Sequence, residues 1–279
     1  RRCRWAPSHD LEIDPIRGLE RGLKEEEVMP AVLNKRMTTS VIAFAAVALL
    51  GTSAATADTT ETPNVTFSVA AGANDAGLSF NAGDYGSSWS NPNGTFGFNG
   101  ANSGGNWDMG WSLIVNPDPF VIANLVVTNN SDVAEMFTIT VNMPINAIMP
   151  SSLIGGSITG TVTDLNGDGA MLSSVGGTSI YQGLIDGGTV ATLLDDPFSV
   201  SVNDAFGSEV VGPASFGDPI PSMPGPGVTD SIGITLTFML SAGDSASFTS
   251  IFVAEVPGPA GLALFGVAGF VTRRGRRRA

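Results

Sequence analysis

Apolar residues along the middle of this chain recur at every second position. Val65, Phe67 and Val69 alternate with Thr66 and Ser68, and Trp107, Met109, Trp111, Leu113 and Val115 share one side of a longer run. Phe137, Ile139, Val141 and Met143 oppose Thr138, Thr140 and Asn142, while Ile158 and Val162 oppose Thr159, Thr161 and Thr163. Phe198, Val200 and Val202 form a further run, followed by Ile232, Ile234, Leu236, Phe238 and Leu240. A Ser241-Ala242-Gly243-Asp244 turn leads into Ala246, Phe248, Ser250 and Phe252. This period predicts half-buried β-strands, and no stretch from 58 to 255 sustains the 3.6-residue period of a helix. Strands with one apolar face and one Thr/Ser/Asn face need a second layer to cover the apolar side. The expectation is therefore an all-β, single antiparallel β-sandwich of jelly-roll-like type.

Turn chemistry punctuates the strands at Asn129-Asn130-Ser131-Asp132, Asp164 to Gly169 and Asp186-Gly187-Gly188. The Pro-rich stretch from Pro213 to Pro226 is expected to be a long loop, because proline cannot donate to a central ladder. The Gly/Ser/Asn-rich span from Gly83 to Gly105 reads as a surface excursion.

The two ends follow other rules. Lys35 and Arg36 precede an apolar run from Val41 to Leu50, and Ala55-Thr56-Ala57 supplies the small residues read by a signal peptidase. Residues 29–57 are thus expected to be a signal peptide, with the mature chain starting at Asp58. Residues 1–28 are expected to be an over-extended reading frame ahead of a start at Met29, with Met37 the second candidate. At the other end, Val256-Pro257-Gly258-Pro259 precedes an apolar run from Ala260 to Val271 and then Arg273, Arg274, Arg276, Arg277 and Arg278. A basic cluster behind an apolar segment keeps the arginines in the cytoplasm and leaves everything before it outside. As a short hydrophobic helix, the 17 residues from Val256 to Thr272 would reach about 25 Å, against a hydrocarbon core of about 30 Å. That length suits a temporary anchor; a retained single-pass anchor is the alternative.

This tail, from Val256 through the arginine block, resembles the PEP-CTERM sorting tail of exported bacterial proteins. The resemblance covers about the last 24 residues (256–279). It implies export, transient membrane anchoring, recognition by an exosortase-type membrane peptidase, and delivery to a surface rich in exopolysaccharide. The family's usual Glu between the prolines is Gly258 here, so cleavage is a separate expectation from membrane targeting.

Setting the ends aside changes the charge. All 13 Lys and Arg residues of the chain, with His9 and Cys3, lie outside 58–255, whereas 19 of the 26 carboxylates lie inside it, giving that span a net charge of −19. Without His, Cys or Lys there is no nucleophile–imidazole pair, no Schiff base and no thiolate or imidazole metal ligand. Without cations, nucleic acid would be repelled. Disulfides are excluded, yet about 200 residues suffice for a core without them.

Three constellations carry candidate chemistry. Asp164, Asn166 and Asp168, with Gly169 at the position after the third ligand, open like a calcium loop, but position twelve is Val175 where a bidentate acid belongs. No cofactor is expected; calcium at Asp164, Asn166 and Asp168 is the alternative, set against a plain Asp/Gly hairpin turn. Second, the aromatics from Tyr85 to Trp111, interleaved with Asn and Asp, have the composition of a glycan-binding surface. Trp107 and Trp111 share a face with Met109 and Leu113 and are expected in the core; Tyr85 and Trp89 are less committed. Third, the Asp195-Asp196 pair would serve a glycoside hydrolase only if both carboxyls met one sugar, and neighbours on a strand point apart. The expectation is a non-catalytic, exported protein of the cell surface or extracellular matrix. A glycan-binding module is the alternative, and a polysaccharide-active hydrolase ranks below both.

Overall fold

The computed structural model describes residues 61–72, 77–145 and 150–255. The signal peptide expected over 29–57, the leader before it and the hydrophobic helix expected within 256–279 lie outside these residues. All regular structure among the described residues is strand. The strands are β1 (Thr66–Ala71), β2 (Leu78–Asn81), β3 (Gly86–Ser90), β4 (Phe96–Ser103), β5 (Trp107–Asn116), β6 (Phe120–Asn129), β7 (Glu135–Pro144) and β8 (Ser152–Thr163). They continue as β9 (Ala170–Ser173), β10 (Tyr181–Ile185), β11 (Gly188–Leu193), β12 (Ser199–Val202), β13 (Ser208–Phe216), β14 (Met223–Gly225), β15 (Ser231–Leu240) and β16 (Ser245–Glu255).

They form two antiparallel sheets, as the alternation requires. The first runs β11-β10-β15-β7-β1-β2, with β9 also on β15 and β12 on β9; the second runs β13-β8-β16-β6-β5-β4-β3, with β14 also on β8. The apolar rows of the two sheets meet between the layers. Phe67 of β1 packs on Trp111 of β5 with ring centroids 5.0 Å apart, and Phe238 of β15 packs on Phe248 of β16 at 5.0 Å. Tyr181 of β10 is buried across the core, and its hydroxyl donates to the Ile251 carbonyl at 2.8 Å; burial pushes its pKa up. That pairing lets a phenol sit in the interior without an orphaned O–H.

Three local readings of the sequence are corrected. The span Gly83–Gly105 is no surface excursion, since it contains β3 and β4. Three of its glycines lie under indoles: a Cβ on Gly97 would lie inside the ring of Trp89, one on Gly100 against that of Trp111, and one on Gly104 inside that of Trp107. The Pro-rich stretch is only partly loop. Pro213 lies in β13 where the register slips between Val211 and Ala214, and Pro224 lies in β14. Both strands pair on β8, where a missing N–H is tolerated at an edge or irregularity. Third, the Asp164–Gly169 loop passes from β8 in one layer to β9 in the other, so it is a crossover and no hairpin turn. The turn at 241–244 is a crossover too, since β15 belongs to the first sheet and β16 to the second.

Candidate functional site

Those two crossovers meet. Asp164, Asp168 and Asp244 each offer a carboxylate oxygen within 4.8 Å of the others. Asp164 is buried, and it is the organiser of its loop: Oδ1 accepts the N–H of Asn166 at 3.1 Å and of Gly167 at 2.7 Å. Its Oδ2 accepts the N–H of Gly169 at 3.1 Å and of Phe206 at 2.9 Å. Burial works against its charge, but the four donors outweigh it and hold the carboxyl below the usual range. Asn166 is spent in the same way, accepting the Asp168 N–H at 3.0 Å and donating to the Ala242 carbonyl at 3.2 Å.

Asp244 is the opposite case. It is buried, accepts the Ser241 hydroxyl and the Leu165 N–H at 3.3 Å, and burial lifts its carboxyl above the ordinary range, helped by the charges of Asp164 and Asp168. The donor set is all oxygen, the kind a hard cation takes. Four acceptor sites on Asp164 are, however, already filled by backbone, and both oxygens of Asp244 each accept one hydrogen bond, which leaves exposed Asp168 and the second lone pair on each Asp244 oxygen. The sequence pattern found Asp164 and Asp168 but not Asp244, which only the crossing of β15 to β16 brings alongside.

The aromatic region divides. Phe96, Phe98, Trp107 and Trp111 are buried in the core, and Trp111 donates its indole N–H to the Ala82 carbonyl at 3.2 Å. Tyr85 is 47% exposed and Trp89 42%. Tyr85 sets its ring edge-on against Phe80 at 5.2 Å. Trp89 pairs with Gly97 across β3 and β4 and lies on it, on the outer side of the second sheet.

Asp195 and Asp196 are not on a strand, which corrects the reason for keeping them apart: they follow β11 in a loop. Asp195 accepts the Ser179 hydroxyl at 2.7 Å and is held low by Ser179 and Thr192; Asp196 accepts the Ser174 hydroxyl at 2.5 Å and the Gly177 N–H at 3.1 Å. Both carboxylates are engaged with the neighbouring loop between β9 and β10. Asp186, missed as a site residue, closes the β10–β11 turn and accepts from Thr229, Asp230 and Ser231. The sorting residues Val256, Pro257, Gly258 and Pro259, the arginines from Arg273 to Arg278, and Ala55 and Ala57 lie outside the described residues. No protein-family model matches the chain, and no curated protein matches it.

Proposed function

We propose that the chain is an exported, acidic β-sandwich protein of the bacterial cell surface or extracellular matrix, sorted through its C-terminal tail and acting by binding and without catalysis. The observation that carries this is the segregation of charge: every Lys and Arg sits in the two ends, and the 198 residues between carry 19 carboxylates and no cation. Such a span stays dispersed outside the cell and repels its own kind. In this reading residues 29–57 are a signal peptide, 58–255 the sandwich and 256–279 a PEP-CTERM-like tail that includes an apolar helix. β16 runs to Glu255, one residue short of that tail. The partners are a signal peptidase, an exosortase-type membrane peptidase, the membrane and exopolysaccharide. The jelly-roll-like description rests on the chain's repeated passage between layers, from β6 to β7 to β8 and from β15 to β16; the β3–β4–β5–β6 meander departs from it.

Cell fractionation with mass spectrometry of the C-terminus tests the proposal. A surface or medium fraction ending near Val256 to Pro259 supports sorting with processing, and one ending at Ala279 supports a retained anchor. Intact chain in the cytosol overturns it. A second reading, a glycan-binding module, is favoured by one specific observation: Trp89 keeps an exposed indole face on a sheet surface while Trp107 and Trp111 are spent in the core.

A further inference from the structure

Carboxylates are kept off the broad faces of this sandwich. Within strands, the only described ones are Asp108, Glu135, Glu209 and Glu255, each the first, second or last residue of its strand. The outer face of the second sheet shows what is left. In register across β4, β5, β6, β16 and β8 stand Asn99, Ser112, Asn124, Thr249 and Thr159. Two residues along each strand runs a second row: Gly97 with Trp89 over it, then Ile114, Ile122, Ile251 and Ser157. The isoleucines are half-buried. At the usual strand spacing, the line from Trp89 on β3 to Ile251 on β16 is roughly 19 Å long.

An open trough of about 600 Å³ lies over the polar row, on the side away from the isoleucines, where Ser112, Asn124, Thr249 and Thr159 line it together with Val126, and no charged residue lines it. Asp108 stands at one corner of the face, held by the Ser103 hydroxyl at 2.5 Å and the Asn130 amide at 2.7 Å.

We propose that this face binds an uncharged polysaccharide laid across the strands, with sugar rings on Trp89 and the isoleucine row and hydroxyls on the row from Asn99 to Thr159. The proposal deepens the glycan-binding reading and rests on the exported placing of the domain for access to such a polymer. Hydroxyls and amides both donate and accept, which matches a ligand whose every hydroxyl does the same. The isoleucine row has the polar row on one side and continues on the other into Phe120 and Val253, so an apolar strip lies against a hydrogen-bonding one, which matches the ring faces and the hydroxyls of a sugar. Charge decides the rest. A chain with no cation over 58–255 offers nothing to a uronic acid polymer, a nucleic acid or an anionic membrane, and a second copy would bring one acidic rim against another.

Affinity electrophoresis of the purified full-length chain tests this, using gels containing β-glucan, xylan, dextran or, as the anionic polymer, polygalacturonate. Retardation by at least one neutral polymer and none by polygalacturonate is expected. Trp89→Ala should weaken it about tenfold or more. Thr249→Asp, which adds charge at an exposed position, should also abolish it, and Ser68→Asp on the opposite face should leave it unchanged. Circular dichroism of each variant confirms folding. No retardation in any neutral gel overturns the proposal, as does retardation that survives both Trp89→Ala and Thr249→Asp. Polygalacturonate binding that needs calcium overturns it in favour of the acidic loops; dimerisation lost in Thr249→Asp, without polymer binding, overturns it in favour of self-association. Because the protein is purified, these results are independent of where the cell delivers it, which fractionation alone decides.

Discussion

The two outer faces of the sandwich are built alike and finished differently. The first sheet also carries an in-register polar row, Ser79, Ser68, Thr140, Thr235, Gln182 and Thr192 across β2, β1, β7, β15, β10 and β11. Its trough, of about 580 Å³, is bounded by Asp186 and Asp230, and no aromatic residue lines it. On the second sheet the corresponding trough has no charge, and an exposed indole ends a row of isoleucines. A polar row is what any solvated sheet face needs. The apolar row and the absence of charge are not needed for solvation, and they are what point to a ligand.

The largest effect should come from removing the layer both faces share. Phe252→Ala on β16 is expected to cost about 3–5 kcal/mol in denaturant unfolding. Thr249→Ala, outward on the same strand, should stay within about 0.5 kcal/mol. Similar losses at both positions would mean that inner and outer rows are not distinct in energy.

The next effect is a pH dependence centred on the loops. Asp244 has its folded pKa raised, so between the ordinary carboxylate range and that raised value the unfolded chain has lost a proton that the folded chain keeps. Stability therefore rises as pH falls from neutral through that window, and Asp244→Asn should flatten the rise. At lower pH the sign reverses. Asp164 and Asp186 are held low by backbone donors, and the stability they contribute, present above their unfolded pKa, is lost as they protonate. Melting temperature against pH checks both limbs. Millimolar calcium should leave the curve unchanged, because Asp164 is filled by backbone N–H groups; a calcium-raised melting temperature lost in Asp168→Asn would instead assign the cluster to a cation.

The smallest structural effect is expected at Gly97→Ala. Its new Cβ takes the place of the Trp89 ring, which can swing into solvent, so stability should change by about 1 kcal/mol or less while the second face loses its platform. Unaltered tryptophan emission and quenching would show that the ring does not rest there.

Much of the inner half of this molecule was legible in the sequence. Trp107 to Val115, Phe137 to Met143 and Ile232 to Leu240 are inward rows as the period demanded. Alternation says which side of a strand is apolar but not to which layer the strand belongs, so it cannot tell the crossovers at 164–169 and 241–244 from turns within one sheet, nor bring Asp244 to Asp164. β3 and β4 were hidden because small residues beneath Trp89, Trp107 and Trp111 have the composition of a loop. β6 alternates Val121, Ala123, Leu125 and Val127 inward, yet Ile122 and Val126 between them blur the period; those outward apolar residues belong to the second sheet's solvent face.

Hydroxyl-radical footprinting of the full chain, with and without a neutral polysaccharide that retards it, tests the difference between the faces most directly. Protection of Trp89, with Tyr85 and the first sheet unchanged, is the result expected. Protection centred on the first sheet, or Trp89 as reactive with polymer as without, would contradict the account.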